Sequence, residues 1–361
     1  MIDMTVIDHT TVTTTAATSA AASADATNNA PVRTLTEIVL PDAVRDAIGE
    51  QLAALPDPTT DIDLAMARYH QIFAGLPIGI LQQMLDFGRH IDTAGVGYVR
   101  NLPVDRGLPD TPSDGGPSRD KASYVAEGVL LGLTGLLGEP VGFLTEKRGQ
   151  LVHDVIPVAG GSMTQTNQGS TVFLNFHNDI VHDSIGRYDV SNPDFLVLSC
   201  LRADHEGVAA TYYADARDIS RALDAGTLET LRSPVFRLNA PGSYVREVAG
   251  GNDVLSDPVP VISGPDDSPE ISVSANGVRA MTSGGQAALD RLQAACREVA
   301  HEVFLRPGQA LLINNRKGLH ARSQFTARYD GADRWLQRTY VRRNQWSIRY
   351  RVTPDNRRVH F

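Results

Sequence analysis

Cysteine is nearly absent from this sequence. Cys200 and Cys296 are the only two among 361 residues, which excludes a disulfide framework and any Cys-x-x-Cys metal site. A reducing, cytoplasmic setting is expected. Positive charge is also short, with 33 Lys and Arg against 42 Asp and Glu and a formal net charge of -9. That balance argues against sequence-independent binding to nucleic-acid phosphates. No apolar run approaches the roughly eighteen residues of a membrane span, and the N-terminus has neither the basic start nor the apolar centre of a signal peptide. A soluble protein with no nucleic-acid or membrane partner is therefore expected. Aromatics make up only 6% of the chain, but 42% of it is hydrophobic, enough at this length for a large core.

Residues 4–31 are rich in Thr, Ala, Ser and Asn and lack an apolar period, so the first 33 residues read as a disordered leader. Helical patterns follow. One opens at Pro41 (Val44, Ile48, Leu52, Leu55), a second at Asp63, and a third spans Ile78–His90. A strand at 97–103 leads into a loop rich in Pro, Gly, Ser and Asp, and a fourth helix is expected at about Lys121–Leu137. From Val141 the chain turns to short β-type runs: 151–157, 170–176, 195–200, 209–213, 259–262, 309–313 and 335–342. A helix at about Gln286–Val303 interrupts them. Many short strands with turns between them suggest a closed or two-sheet antiparallel architecture.

Among ten histidines and 42 acids, about one His-x-Asp/Glu triplet is expected by chance, and two occur. His90-Ile91-Asp92 ends a helical pattern, where positions two apart point to different sides. His177-Asn178-Asp179 follows the strand pattern Thr171–Phe176, where alternate side chains share a face and can chelate one ion. A second histidine would complete the two-His-one-carboxylate set that holds non-haem Fe(II) with open positions. His320, just beyond the strand after Pro307-Gly308, supplies a candidate. Fourteen residues later comes Arg334, on or beside an inward strand, and a guanidinium there suits a dicarboxylate.

These blocks resemble the clavaminate synthase-like group of Fe(II)- and 2-oxoglutarate-dependent oxygenases, in the branch that hydroxylates free amino acids. The resemblance runs over about residues 95–345. It rests on Leu137-Gly138-Glu139-Pro140, Leu151–Pro157, His177-x-Asp179, Asn192-Pro193-Asp194-Phe195, Cys200–Asp204, and the segment from His320-Ala321-Arg322 to Arg342. It implies a mainly β fold with α insertions: a double-stranded β-helix (jelly-roll) core with an N-terminal helical layer. The oxygenase domain would cover 34–361, with the helical layer at about 40–137, the core at about 141–347 and a lid insertion at about 236–282.

Position by position, the resemblance implies His177, Asp179 and His320 as Fe(II) ligands, with 2-oxoglutarate and O2 as cosubstrates. Arg334 and Thr211 would contact 2-oxoglutarate. Arg338, four residues further along the strand, would meet the substrate α-carboxylate, and Glu146 its α-ammonium. Many relatives carry Glu where Asp179 stands, and either carboxylate can ligate iron. Relatives that halogenate have a small residue there, so Asp179 favours hydroxylation. The acid pair with which arginine hydroxylases grip guanidinium is missing from Glu270–Gly277, leaving Asp183 and Asp189 as candidates for a side-chain ammonium. The wording around His177 and Asn192 is most like the lysine-hydroxylating subgroup.

The resulting expectation is hydroxylation at C3 or C4 of a free basic L-amino acid, lysine first. An arginine or other polar amino-acid hydroxylase or desaturase is the alternative, and a non-catalytic jelly-roll binding protein the alternative of another class. A homo-oligomer is left open. His153, His182 and His205 carry no assignment, His182 being the most plausible neighbour of the site.

Overall fold

Strand alternation organises the core. In Phe195–Arg202, Phe195 and Val197 pack into one apolar cluster while Leu196, Leu198 and Cys200 pack into another. Ala310 and Leu312 separate from Leu311 and Ile313 in the same way. A sheet buried on both faces must be covered by another layer on each side. The computed structural model describes residues 35–90, 93–161, 169–181, 192–353, 355 and 357–360. The leader expected at 1–33 lies outside them, as do Asp92, His182, Asp183 and Asp189.

The first half of the described chain supplies β1 (Thr36–Val39), α1 (Asp42–Ala53), α2 (Ile62–Ala74), α3 (Ile78–Arg89), β2 (Val96–Arg100), α4 (Val125–Leu137), β3 (Glu139–Phe143), β4 (His153–Val155), β5 (Leu174–His177), β6 (Phe195–Arg202) and β7 (Thr211–Asp215). Then come α5 (Ala216–Ala222), α6 (Ala225–Arg232), β8 (Phe236–Leu238), α7 (Gly242–Glu247), β9 (Ile262–Ser263), β10 (Glu270–Ile271), β11 (Val278–Ala280) and α8 (Ser283–Val299). The chain closes with β12 (His301–Val303), β13 (Ala310–Asn314), β14 (Gly318–Arg322), β15 (Trp335–Arg342) and β16 (Arg358–Val359).

The larger sheet runs β1-β2-β13-β6-β15-β3-β16, with β4 also paired to β15; the smaller runs β12-β7-β14-β5. Helices α1 to α4 cover the outer face of the larger sheet. Helices α5, α6 and α8 cover the smaller one through Ala214, Leu319 and Ala321. This is a jelly-roll core with helical layers. Among the described residues, no helix is long and apolar enough to cross a membrane.

Local chemistry accounts for the helix starts. The Asp61 carboxylate accepts from Leu64 N at the head of α2, and Thr282 caps α8 through Gly285 N. Asp105 accepts from Val125 N and Ala126 N at the head of α4, and Lys121 bridges Asp105 and Glu127 at 2.9 and 2.6 Å. Helix α4 is buried along nearly its whole length, so this paired cluster satisfies charge that would otherwise be costly.

Several boundaries differ from the sequence reading. Pro41 is the N-cap of α1 rather than its first helical residue. The helix expected to reach Val303 stops at Val299, because Ala300 turns extended and His301–Val303 pairs with β7 instead. Of the strand expected at 259–262, only Ile262 joins a strand, β9. Strand β1 and helices α5 and α6 carry no strong pattern in the sequence; β1 forms by parallel pairing to β2, which only the folded chain provides.

Close approach of α2 and α4 depends on Gly132. A Cβ there would stand 2.2 Å from the ring of Phe73, which is fully buried. Gly132→Ala is therefore expected to cost about 1–3 kcal/mol through overpacking, despite alanine's better helix propensity. A lowered urea midpoint with an unchanged m-value checks it, and a neutral or stabilised variant would show that the ring moves aside freely.

Candidate active site

Two strands deliver the central group. Strands β5 and β14 are antiparallel, and their register places His320 directly opposite His177. Beyond the end of β5, the Asn178 side chain donates to Asn315 O and Gly318 O, and Asp179 N donates to Asn315 Oδ1. These bonds hold the Asp179 carboxylate against both imidazoles. His177 Nε2 lies 3.6 Å from Asp179 Oδ1, and His320 Nε2 lies 3.9 Å from Asp179 Oδ2. The rings are 4.3 Å apart, and one donor atom from each residue falls within 4.8 Å of the others.

The protonation pattern suits a metal. His177 Nδ1 sits 2.7 Å from Asn175 O, which can only accept, so Nδ1 carries a proton and Nε2 is the nitrogen turned toward the group. Burial, reinforced by His177, pushes His320 down to about 3, so this imidazole is neutral at ordinary pH. Burial alone would raise the Asp179 carboxyl, but Arg338 and the two histidines hold it well below the usual carboxylate range. Two imidazole nitrogens and one carboxylate are the donor set of an open non-haem Fe(II) face.

Strand β15 and the residue just before it aim two arginines, Arg338 and Arg334, at the same cavity. Arg334 is buried, its Nη2 stands 3.5 Å from Thr211 Oγ1, and no ion pair engages it among the described residues. A guanidinium left in this state calls for an anionic ligand. Arg338 Nη1 donates to Asp179 Oδ2 at 2.7 Å, and its Nη2 donates to Glu146 Oε1 at 2.8 Å. Glu146 also accepts from Tyr340 OH at 2.8 Å. The cavity measures about 280 Å³. Ser243, Arg246 and Glu247 from α7, with Ser274, Ala275 and Asn276, form its wall on the 236–282 side.

Residues 80–340 match the taurine catabolism dioxygenase TauD, TfdA family. This chain belongs to that family. The oxygenase is 36% identical over 295 residues to the L-asparagine oxygenase of Streptomyces coelicolor, covering 81% of this chain and 84% of that one. Against the L-lysine 3-hydroxylase of Catenulispora acidiphila it is 29% identical over 273 residues, covering 74% and 73%. A solved asparagine oxygenase in complex with Fe(II), 2S,3S-3-hydroxyasparagine and succinate superposes with a TM-score of 0.80 at 32% identity, over 90% of this chain and 99% of that one. The oxygenase is thus an Fe(II)- and 2-oxoglutarate-dependent dioxygenase of the clavaminate synthase-like group.

Of the residues singled out by sequence, His177, Asp179, His320, Arg334, Thr211, Arg338 and Glu146 all line this one cavity. Asp183 and Asp189 lie outside the described residues. His90 is exposed and pairs with Asp86 on its own helix. His205 is drawn to Asp330 in the loop preceding Arg334, where Asp333 accepts from the backbone of Arg328 and Tyr329. That loop delivers Arg334 to the sheet. Sequence reasoning missed His153 and Tyr340, which both touch Arg338. Tyr340 was findable, being two residues past Arg338 on the same strand face. It also missed Arg246 and Glu247, whose place at the cavity depends on how residues 236–282 fold back.

The buried histidines set a pH dependence. Burial pushes His153 down to about 4, while in the unfolded chain an imidazole titrates near 6.5. Between these values the unfolded chain binds the proton and the folded one does not, so this contribution is intact above about 6.5 and falls as the pH drops. The oxygenase without metal is expected to lose about 2 kcal/mol through His153 between pH 7 and pH 5. Urea titrations at both pH values, wild type against His153→Leu, isolate that share, and an equal pH slope in the two proteins would refute it.

Proposed function

We propose that this oxygenase hydroxylates a side-chain carbon, C3 or C4, of a free polar L-amino acid. The observation that carries the reading is the convergence of His177, Asp179, His320, Arg334 and Arg338 on one cavity. His177, Asp179 and His320 would hold the iron. Iron(II), when bound, supplies the coordination sites at which 2-oxoglutarate and O2 react to give succinate, CO2 and a hydroxylated substrate.

The chain's own side chains do the positioning. Arg334, with the Thr211 hydroxyl, receives the distal carboxylate of 2-oxoglutarate and thereby acquires its counterion. Arg338 receives the α-carboxylate, and Glu146 the α-ammonium, so one ion pair recognises both charges of the amino-acid backbone. Val155, Leu198 and Leu336 line the same cavity and exclude water from the reacting carbon.

At the far wall, Ala275 and Asn276 are neutral, and α7 offers a cation, Arg246, beside an anion, Glu247. Such a mixture matches a carboxamide, which both donates and accepts, better than it matches an isolated cation. Similarity to an L-asparagine oxygenase supports the same choice, asparagine or glutamine. Lysine is the second reading, favoured by Glu247 and by similarity to an L-lysine 3-hydroxylase.

Each of His177→Ala, Asp179→Ala and His320→Ala is expected to lose Fe(II) binding and turnover while keeping its fold; His90→Ala serves as the unaffected control. Arg334→Ala should chiefly raise the 2-oxoglutarate requirement and Arg338→Ala the amino-acid requirement, each by about ten- to a hundred-fold, as expected for losing a charge-assisted contact. Steady-state kinetics with both cosubstrates varied check the split, and weakening of one ligand by both variants would end it.

Succinate release with asparagine, glutamine, lysine, arginine, ornithine and norleucine tests the substrate. Asparagine or glutamine is expected to stimulate it most. A lead for lysine would move the assignment to the second reading, and a lead for norleucine would overturn the polar-substrate reading while leaving the iron chemistry intact.

A further inference from the structure

His153 is 1% exposed and sits on β4, where the register with β15 places it directly opposite Arg338. Its two ring nitrogens have fixed and opposite jobs. Nε2 lies 2.9 Å from Gln150 O, a carbonyl that can only accept, so Nε2 carries the proton. Nδ1 lies 3.1 Å from Arg338 Nη2, which can only donate, so Nδ1 is the acceptor. The ring is therefore a neutral imidazole in a single tautomer, wired between a backbone carbonyl and the guanidinium.

The rest of the guanidinium's surroundings explain why a neutral acceptor stands there. Asp179 holds Nη1 and Glu146 holds Nη2, so two carboxylates already share one cation. A third acid would leave the cluster with excess buried negative charge and oppose an incoming carboxylate. The Arg338 guanidinium carbon lies 4.4 Å from the Tyr340 ring centroid, and the His153 ring meets the same tyrosine edge-on at 5.5 Å. With Nη2 saturated by Glu146 and His153, the hydrogens left to Arg338 are the one on Nε, buried without a partner, and the second on Nη1.

We propose that His153 is a positioning residue that directs the unpaired donors of Arg338 at the α-carboxylate of the amino-acid substrate. The inference rests on the reading of Arg338 given above. His153 touches no reacting atom in this account; it acts by occupying one Nη2 hydrogen and fixing the rotation of the guanidinium plane. Without that acceptor, one Nη2 hydrogen loses its fixed partner and the plane is free to rotate about its bonds to Asp179 and Glu146, turning the unpaired donors away from the substrate.

The test is a kinetic comparison of the iron-loaded full chain with His153→Leu, His153→Asn, Arg338→Ala and the double variant His153→Leu/Arg338→Ala. Leucine keeps much of the volume without an acceptor, whereas asparagine restores an oxygen near the Nδ1 position. His153→Leu is expected to raise KM for the amino acid roughly ten-fold, with little change in kcat or in KM for 2-oxoglutarate. His153→Asn should recover most of that loss. The double variant should be no weaker for the amino acid than Arg338→Ala alone, because His153 acts only through Arg338.

Additive losses in the double variant, equal shifts for both cosubstrates, or no difference between leucine and asparagine would each overturn the proposal. If His153→Leu fails to fold, as judged by its thermal transition, the His153→Asn comparison and its coupling to Arg338→Ala carry the test alone. An unchanged amino-acid KM in Arg338→Ala would instead strike the α-carboxylate reading, so the two failures are separable.

Discussion

Strand β15 is buried along all eight of its residues, and the site exists because each of its faces has a different task. Trp335 and Gln337 turn toward α4, where the indole and the amide donate to Asp154 and the amide also reaches Glu127. Leu336, Arg338 and Tyr340 turn the other way, into the cavity. A one-residue slip would exchange the two sets, placing guanidinium groups against the apolar helices. The polar bonds on the outer face therefore protect the register that aims Arg338 inward.

Charge balance then fixes how the cavity behaves. Three buried cations, Arg322, Arg334 and Arg338, stand near two carboxylates, Asp179 and Glu146. Arg322 is spent on backbone carbonyls of Gly169, Val172 and Ser323, and the ring of Phe325 stands 5.4 Å from it and 5.6 Å from Arg334. Burial, with Arg334 nearby, pulls Arg322 down to about 10. Under the proposed function, a dianionic cosubstrate beside Arg334 would relieve this crowding of positive charge, and a zwitterionic amino acid beside Arg338 and Glu146 would leave the local charge unchanged. Both follow from Coulomb attraction in a poorly solvated space.

Much of the site is legible in one dimension because its residues sit in or beside strand patterns with their own local signals. His177 and Asp179 are two apart, and Arg334, Arg338 and Tyr340 repeat at even spacing, so a shared face follows from the pleat. His90 and Asp92 fail the same test because a helix turns them apart. The helices α1 to α4 are legible for a similar reason, their apolar residues recurring along one side. The end of α8 is less so, since nothing in Ala300–Val303 forbids another helical turn; pairing with β7 decides it.

One dimension is enough to supply the chemistry: two imidazoles and a carboxylate suited to a metal, and two arginines at strand spacing suited to carboxylates. Periodicity and residue type carry that information locally. Which of those groups become partners is settled by the folded chain. His177 meets His320 across 143 positions of chain because β5 and β14 pair in that register, and His153 meets Arg338 because β4 pairs with β15. Such pairings are set by hydrogen-bonded register and by the burial of opposite sheet faces, quantities that belong to two distant segments at once.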